Sequence, residues 1–281
     1  MSLPTKIAML QMTAGIDPVQ NTAIIVSAAE RAAGEGAGML FTPEMSGLLD
    51  RNRKRAAPHI VAESANPVLA ATCGAAARHG LWIALGSLAV SREANDFGGK
   101  SANRSLLIAP DGTIAARYDK IHMFDVDLAS GESWRESNAY APGEEVVTAA
   151  TPLGTLGLTV CYDIRFPALF EELGRRRCDA IAIPAAFTVP TGKAHWHLLQ
   201  RARAVEASAW VIAAAQTGHH ADGRETYGHS LVVDPSGEVV FDMGVEPGLG
   251  FATIDPARTA QVRAQLPSLA NKREIPRSDA I

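Results

Sequence analysis

Short apolar runs alternate with longer amphipathic stretches along the whole chain, and this alternation limits the fold more than any other feature. Residues 6–12 and 38–44 are typical of buried strands, whereas residues 21–36 have apolar side chains at helical spacing and end at a glycine. The pattern returns in the second half of the chain, where further strands alternate with helices predicted over 167–177 and 194–207. Alternating strands and helices predict an α/β protein.

Two predicted hairpins add antiparallel pairing to this pattern. The turn APDG at 109–112 joins two predicted strands, and the turn DPSG at 234–237 joins two more. The longest irregular stretch, 122–145, is more typical of a functional loop than of a domain boundary. Since the chain has no Pro/Gly/Ser-rich linker, we predict one domain over residues 1–281 with mixed sheet pairing.

Composition excludes several classes of protein. The chain is 47% hydrophobic and 20% charged, which is ordinary for a soluble protein with a sizeable core. A formal net charge of −4 predicts no general attraction to nucleic acid or to anionic membranes. We find no signal peptide and no apolar run near the roughly 18–20 residues needed to cross a bilayer. Three widely separated cysteines argue against a disulfide framework, so we predict a cytoplasmic protein.

Cys161 lies where a predicted strand gives way to a helix that begins near Pro167. A single buried cysteine is more often a small hydrophobic residue, and Cys73 and Cys178 fit that interpretation. At Cys161, the positive end of the following helix is expected to lower the thiol pKa below its usual value of about 8.5. The backbone N–H of Tyr162 is expected to point into the same cleft as an oxyanion donor. Cys161 is therefore a candidate nucleophile.

A cysteine nucleophile needs a base, and the chain offers two kinds. It has eight histidines, but their spacing singles out none of them, so a histidine base remains an alternative. Glu44 ends the strand predicted over 38–44, and Lys120 ends the second strand of the first hairpin. Each is typical of a solvated strand end, yet together with Cys161 they favour one catalytic cluster. If the strands before Glu44 and Cys161 run parallel, we expect both residues at the same sheet edge.

Metal-ligand spacing is absent from the sequence. His219 and His220 are adjacent in a polar stretch without cysteine or carboxylate ligands at suitable spacing, which is typical of solvated loop residues. We therefore predict no metal site at these histidines.

Three segments, in this order, resemble motifs of the nitrilase superfamily of carbon–nitrogen hydrolases: FTPEMS (41–46), RYDKIHMFDVD (117–127) and GLTVCYDIRFP (157–167). The resemblance implies that Glu44 is the general base, Lys120 the cation that stabilises the oxyanion and Cys161 the nucleophile. The segment SWRESNAYAPG (133–143) resembles the part of the family that holds a second glutamate. It implies that Glu136 positions Lys120 or the substrate.

The same resemblance implies the fold and the assembly. It predicts a four-layer α-β-β-α sandwich that pairs with a second subunit through the helices next to the active site. The helix after Cys161 and the C-terminal tail, residues 265–281, are then expected at the interface of a homodimer. No nucleic acid or membrane partner is implied.

The implied reaction is a two-step acyl transfer. Cys161 attacks an amide carbonyl while Glu44 takes its proton, and Lys120 with the Tyr162 N–H holds the oxyanion. Ammonia leaves, a thioester forms, and water activated by Glu44 hydrolyses the thioester to a carboxylic acid. This implied reaction makes the protein a hydrolase of carbon–nitrogen bonds in linear amides and requires neither a metal nor an organic cofactor.

Within the superfamily, the residues after the nucleophile indicate a branch. Nitrilases that act on nitriles typically have Trp-Glu there, whereas Tyr162 and Asp163 favour amides. Residues 184–240 resemble the amidases that include ω-amidase and deaminated-glutathione amidase, and the loop over 216–230 is more similar to the latter. This implies hydrolysis of deaminated glutathione, the α-keto analogue of glutathione, as metabolite repair. Lys193 departs from the group, where a proline is common.

Other functions remain open at this point. An ω-amidase acting on α-ketoglutaramate, a carbamoylase and a nitrilase all share the superfamily fold. A non-catalytic scaffold on the same fold is disfavoured, because the Glu, Lys and Cys set is intact.

A substrate with free carboxylates needs a cation near the nucleophile. The chain offers four arginines for this role: Arg135, Arg165, Arg201 and Arg203. Arg165 is four residues from Cys161, although it and the others have pairing within the protein as an alternative role. We predict Arg135, Arg165, His195 and Tyr227 as residues of the substrate pocket.

Overall fold

A computed structural model describes residues 3–92, 99–127, 131 and 133–275 of the 281-residue chain. In chain order its strands are β1 (Thr5–Gln11), β2 (Met39–Phe41), β3 (Trp82–Ser91), β4 (Ser101–Ile108), β5 (Ile114–Asp119), β6 (Asp125–Asp127), β7 (Ser133–Arg135), β8 (Thr148–Thr151), β9 (Gly154–Leu158), β10 (Ala180–Ala182), β11 (Trp210–Ala213), β12 (Thr217–His219), β13 (Glu225–Tyr227), β14 (Leu231–Val233), β15 (Val239–Asp242) and β16 (Gly248–Ile254). Its α-helices are α1 (Pro18–Gly34), α2 (Arg53–Ala56), α3 (Pro67–His79), α4 (Pro167–Arg175), α5 (Val189–Ala207) and α6 (Pro256–Gln265). Short 3₁₀ helices include Glu136–Asn138 and Cys161–Arg165.

Two six-stranded mixed sheets form the centre of the molecule. The first has the strand order β16-β1-β2-β3-β4-β5, and the second has the order β15-β14-β11-β10-β9-β8. In each sheet three consecutive strands are parallel, β1 to β3 in the first and β9 to β11 in the second. The outer strands pair antiparallel, and both predicted hairpins are present as β4–β5 and β14–β15. The prediction of an α/β protein with mixed sheets is confirmed.

Side-chain alternation along β1 shows how the layers are held together. Ile7 and Met9 pack into the core shared with the second sheet, whereas Ala8 and Leu10 pack into the core shared with α1 and α3. This division follows from the period of two along a strand, which sends neighbouring side chains to opposite faces. The outer face of the second sheet packs against α4 and α5 through residues such as Phe170. The four-layer α-β-β-α sandwich is confirmed.

Three helices begin with the same local signal. The side-chain oxygens of Asp17, Asn66 and Asp255 each accept a backbone N–H of the first helical turn, at 2.9, 3.1 and 2.9 Å. A proline follows each of them in the first turn, where its missing N–H costs nothing. These caps fix where α1, α3 and α6 begin.

The described part of the predicted interface tail packs on its own chain. Lys272 forms an ion pair with Glu171 of α4, and the side chain of Leu269 lies next to Gly174. Residues 276–281, the end of that tail, lie outside the described residues. The single-domain organisation stays a prediction. Among the described residues, no helix combines the length and the hydropathy required to cross a membrane.

Candidate active site

Residues from both sheets meet in one buried cluster. Glu44 follows β2, Lys120 follows β5, and Cys161 begins the 3₁₀ helix that comes soon after β9. Their exposed fractions are 5%, 2% and 8%. The expectation that Glu44 and Cys161 share one sheet edge is wrong, because β2 and β9 belong to different sheets. The cluster instead forms between the two sheets.

The ammonium of Lys120 lies between two carboxylates. Its Nζ donates to Oε1 of Glu44 at 3.0 Å and to Oε2 and Oε1 of Glu136 at 2.8 and 3.1 Å. Glu136 opens a 3₁₀ helix within the long irregular stretch, and its Oε2 also accepts the backbone N–H of Phe124 at 2.7 Å. Glu136 therefore contacts Lys120 directly.

Asn103, on β4, is a member of the cluster that the sequence analysis missed. Its Nδ2 donates to Oε1 of Glu44 at 2.9 Å and to Oε1 of Glu136 at 3.1 Å, and the residue is 1% exposed. Lys120 and Asn103 thus bridge the same two carboxylates, which offsets the repulsion between them. A lone asparagine in a strand carries no signal that distinguishes this role from ordinary polarity.

The other oxygen of Glu44 contacts the segment that follows β10. Oε2 accepts the backbone N–H of Ala186 at 3.0 Å, and the Cys161 thiol lies close enough to the Glu44 carboxylate for each to shift the pKa of the other. The backbone N–H of Cys161 donates to the carbonyl of Pro184 at 2.8 Å. The short segment after β10 therefore holds Glu44 and Cys161 against each other.

The backbone of Cys161 is unusual for a residue with a side chain. Its φ of 49° lies in the left-handed region, which costs energy for residues other than glycine and is common at functional sites. The next N–H, that of Tyr162, has no acceptor among the described residues. It remains available to a bound carbonyl oxygen.

Asp163 joins the segments that carry Lys120 and Cys161. Its buried carboxylate accepts the Tyr118 hydroxyl at 2.7 Å and the Val160 N–H at 2.8 Å through Oδ2. Its Oδ1 accepts the backbone N–H of His122 at 3.0 Å. Two of these donors flank Lys120 in sequence and the third precedes Cys161, so one carboxylate fixes their relative position. In the sequence, Asp163 indicated only a preference for amides.

A bulge in β3 positions the loop that carries Glu44. The register between β3 and β4 shifts here, and Oγ of Ser87 accepts the backbone N–H of Met45 at 2.9 Å. A β-carbon on Gly86 would lie 2.0 Å from the carbonyl oxygen of Thr42, so only glycine fits this close approach of two backbones.

Electrostatics set the charge of each group. Burial alone would raise the pKa of Glu44, but the charge of Lys120 and the hydrogen bonds hold it below its ordinary value. Burial would lower the pKa of Lys120, but Glu136 and Glu44 hold it well above its ordinary value. At neutral pH the cluster therefore has a carboxylate and an ammonium.

The pKa of the Cys161 thiol is raised well above its ordinary value, first by burial and then by the negative charge of Glu44. The expectation of a lowered thiol pKa is wrong, because α4 begins only after the 3₁₀ helix and burial outweighs the charge of Lys120. A neutral thiol beside a carboxylate is the starting arrangement for proton transfer from sulfur to oxygen.

Two of the predicted pocket residues lie beside Tyr162. The guanidinium of Arg165 lies 5.8 Å from the Tyr162 ring and 5.4 Å from the Phe187 ring, measured to the ring centres. Its Nη1 is 3.3 Å from Nδ1 of His195, and no carboxylate pairs with it among the described residues. Arg165 and His195 thus form a pair next to the residue that follows Cys161.

The other predicted pocket residues are engaged elsewhere. The guanidinium of Arg135 pairs with Asp127 at 2.8 Å across the exposed β6–β7 hairpin. The backbone N–H of Tyr227 donates to the carbonyl of Phe187 at 2.9 Å, and its ring stacks on His229. The structure therefore brings Tyr227 next to Phe187 but commits Arg135 to Asp127.

Arg201 and Arg203 both pair within the protein, which is the alternative role that the sequence left open for them. Arg201 donates to the backbone carbonyl of Gly237 at 2.8 Å, and Arg203 donates to that of Ile164 at 2.7 Å. Both guanidiniums stabilise the packing of α5.

One group of possible metal ligands lies outside the cluster. His197, His229 and Asp242 place ligand atoms within 4.8 Å of one another. His197 and His229 are hydrogen bonded to the Asp242 carboxylate at 2.8 and 3.0 Å, which links α5 to the end of β15. Within the described chain, no hydrogen bond joins this group to Glu44, Lys120 or Cys161.

The chain is similar in sequence to proteins of known family. A family model described as carbon-nitrogen hydrolase matches residues 6–264. The chain is 39% identical to a deaminated glutathione amidase of Yersinia enterocolitica over 274 residues, which are 96% of this chain and 93% of the relative. It is 46% identical to a deaminated glutathione amidase of Synechocystis sp. over 176 residues, which are 62% of this chain and 65% of the relative.

The fold is similar to that of a crystal structure of the Caenorhabditis elegans NitFhit protein. The TM-score is 0.88 with 34% sequence identity, and the match covers 97% of this chain and 66% of that chain. This chain therefore spans just under two thirds of the NitFhit chain, and its match to the Synechocystis relative spans a similar share.

Replacing Glu44 tests the electrostatics of the cluster. Because the Glu44 charge raises the pKa of the Cys161 thiol, we expect Glu44→Gln to lower that pKa. The measurement is the pH titration of thiolate ultraviolet absorbance, taken as the difference from Cys161→Ala in the same background.

Glu30→Gln, a change of an exposed carboxylate on α1, is the matched control and should leave the thiol pKa unchanged. An unchanged or higher thiol pKa in Glu44→Gln contradicts the arrangement described here.

Proposed function

The chain belongs to the carbon–nitrogen hydrolase family, and on that premise we propose that it is an amidase whose nucleophile is Cys161. The observation that carries this proposal is the buried Glu44 carboxylate, which lies 3.0 Å from the Lys120 ammonium and close enough to the Cys161 thiol for each to shift the pKa of the other. A base close to both a cation and a nucleophile is what acyl transfer requires.

In the first half of the reaction, Sγ of Cys161 bonds to the amide carbonyl carbon while the thiol proton passes to Glu44. Lys120 and the Tyr162 N–H stabilise the oxyanion. The carbonyl re-forms as the carbon–nitrogen bond breaks, and the proton on Glu44 passes to the leaving nitrogen. The product of this half is a thioester on Cys161.

In the second half, Glu44 takes a proton from water as the water oxygen bonds to the thioester carbon. The carbon–sulfur bond then breaks, the proton returns from Glu44 to sulfur, and a carboxylic acid leaves. Glu136 and Asn103 do not exchange protons in this scheme; they hold Lys120 and Glu44 in place through the hydrogen bonds described above.

We propose deaminated glutathione as the substrate, since the Yersinia and Synechocystis relatives are named for it. Glutathione contains only substituted amides, so the leaving group from its deaminated form is an amine. The expectation that ammonia leaves is therefore wrong for this substrate and holds only for a primary amide such as α-ketoglutaramate. In this proposal Arg165, with His195, binds the carboxylate of the acyl part.

We also propose that the protein is cytoplasmic and acts as a single domain. Its cysteines, Cys73, Cys161 and Cys178, are all free thiols, which fits a reducing compartment.

Loss of the nucleophile is the direct test of the mechanism. We expect Cys161→Ala to abolish hydrolysis of deaminated glutathione, because no thioester can form, while the wild type shows a transient mass increase equal to the acyl group. Intact-mass measurement after rapid acid quench reports the thioester, and circular dichroism reports folding. Cys178→Ala, a buried cysteine outside the cluster, is the control.

The substrate arms of that experiment are deaminated glutathione, α-ketoglutaramate and an N-carbamoyl amino acid. Turnover of α-ketoglutaramate or of the carbamoyl compound in preference to deaminated glutathione contradicts the proposed substrate. Full activity in Cys161→Ala contradicts the mechanism.

Asn103 offers a test of how the carboxylates are held. We expect Asn103→Leu to lower kcat by about tenfold to a hundredfold, the usual effect of losing a hydrogen bond to a charged group. It should also move the acid limb of the pH–rate profile upward, because the Asn103 hydrogen bond lowers the pKa of Glu44.

Ser105→Ala, two residues further along β4 and equally buried, is the matched control and should keep the wild-type profile. If Asn103→Leu loses rate without any shift of the acid limb, its role is structural only.

Assembly is a separate part of the proposal. Leu198 and Val205 are seven residues apart on one face of α5 and are 65% and 43% exposed. We propose that this face, with α4 and the tail over 265–281, pairs with a second copy of the chain.

We expect Leu198→Glu to convert a dimer into a monomer in size-exclusion chromatography with light scattering. Val240→Glu, at an exposed valine of β15, is the control and should leave the dimer intact. A wild-type monomer, or a Leu198→Glu dimer, contradicts the interface.

A further inference from the structure

Away from Arg165, the guanidiniums of two other arginines lie next to one indole ring. The guanidinium of Arg51 lies 5.7 Å and that of Arg224 lies 5.2 Å from the ring centre of Trp134. Arginine over an indole is a favourable cation–π arrangement. These three residues are called the Trp134 subsite below.

The positive charge of the subsite is only partly neutralised. Arg224 pairs with the buried carboxylate of Asp222 at 2.6 Å, and Asp222 also accepts the backbone N–H of Arg51 at 2.8 Å. Among the described residues, no carboxylate pairs with the guanidinium of Arg51. One cation therefore remains available beside the indole.

The indole N–H of Trp134 is also unused. Its nitrogen is buried and has no acceptor within the described part of the chain. A buried donor without an acceptor is costly, and such a group in a native protein calls for an explanation. An N–H donor and a guanidinium without a carboxylate partner lie at the same ring. Together they can supply a hydrogen bond and a positive charge to a bound carboxylate.

The Trp134 subsite is connected to the catalytic cluster by aromatic contacts. The Trp134 ring centre lies 6.3 Å from that of Phe124, and the Phe124 ring lies 5.0 Å from that of Tyr162. The backbone N–H of Phe124 binds Glu136, which is two residues from Trp134. The subsite is thus two ring contacts from the residue that follows Cys161.

Electrostatics agree with this proximity. Burial and the negative charge of Glu136 raise the pKa of Tyr140, the positive charge of Arg224 lowers it, and the net result is a pKa of about 12. Tyr140 therefore lies close enough to Glu136 of the cluster and to Arg224 of the subsite for each to shift its pKa.

We propose that the Trp134 subsite binds a second substrate carboxylate, located on the amine part of the substrate. The acyl part stays attached to Cys161 and can reach Arg165, which lies beside Tyr162. The amine part must extend further, and the Trp134 subsite lies at the other end of the aromatic row. The preferred substrates are therefore amides with a carboxylate at each end; this step rests on the proposed function.

The test compares two amides with the same acyl part. Deaminated glutathione carries a carboxylate on its amine part, whereas α-ketoglutaramate carries none there. We expect Arg51→Gln and Trp134→Phe each to raise KM for deaminated glutathione by about tenfold or more, with kcat little changed. Both should leave α-ketoglutaramate kinetics at the wild-type level. Trp134→Phe keeps an aromatic ring at this position but lacks the N–H donor.

Lys54→Gln is the matched control, since it removes a neighbouring exposed positive charge that does not contact Trp134. It should leave both substrates unaffected. Equal losses on both amides, or no change on deaminated glutathione, overturn the assignment of the subsite.

A binding measurement separates this inference from the proposed function. In the Cys161→Ala background, titration calorimetry with deaminated glutathione should show binding that Arg51→Gln weakens by about tenfold. If the wild type hydrolyses neither amide but this weakening is seen, the proposed function fails and the subsite stands. Binding that is unaffected by Arg51→Gln overturns the subsite.

Discussion

The buried ammonium of Lys120 is the interaction on which the rest of the site depends. An ammonium and two carboxylates are costly to remove from water, and such groups are tolerated in an interior only when they are paired and hydrogen bonded. Lys120 satisfies Glu44 and Glu136 together, and Asn103 supplies a second donor to both. This pairing also affects Cys161, the proposed nucleophile, because a carboxylate kept charged by Lys120 can act as a base toward the neutral thiol.

That pairing requires two sheets to be held in a fixed relation. Glu44, Asn103 and Lys120 belong to the first sheet or its loops, and Cys161 belongs to the second. Asp163 provides the link, since it binds backbone and side-chain donors on both sides, and the Ala186 N–H adds a contact from the second sheet to Glu44. The packed core between the two sheets limits how far one sheet can shift along the other. The directional hydrogen bonds then set the positions of the charged groups relative to one another.

Much of this arrangement was predictable from sequence, and the reasons for the failures are physical. Short motifs in a fixed order identified Glu44, Lys120 and Cys161, and turn residues identified both hairpins. Asn103 and the Ala186 N–H were not predictable, because their roles depend on contacts between distant segments and one of them is a backbone group. The expectation that Glu44 and Cys161 share one sheet edge was wrong, because the sequence pattern shows where a strand ends but not which sheet contains it. The expected decrease in the pKa of the Cys161 thiol was wrong, because the argument from the positive end of the following helix ignored burial.

The charge state that the proposed reaction needs is also one that folding favours. A lowered pKa for Glu44 gives stability that is present above its ordinary value of 4.5 and is lost as pH falls through its folded value. The raised pKa values of Cys161 and Lys120 give stability that is present below their ordinary values of 9.0 and 10.5 and is lost as pH rises toward the folded values. Between 4.5 and 9.0 all three contributions coexist, so the carboxylate, thiol and ammonium form in the folded state before any substrate binds. In the proposed reaction Glu44 and Cys161 therefore already have the required protonation states, and substrate binding has only to place a carbonyl carbon next to the sulfur.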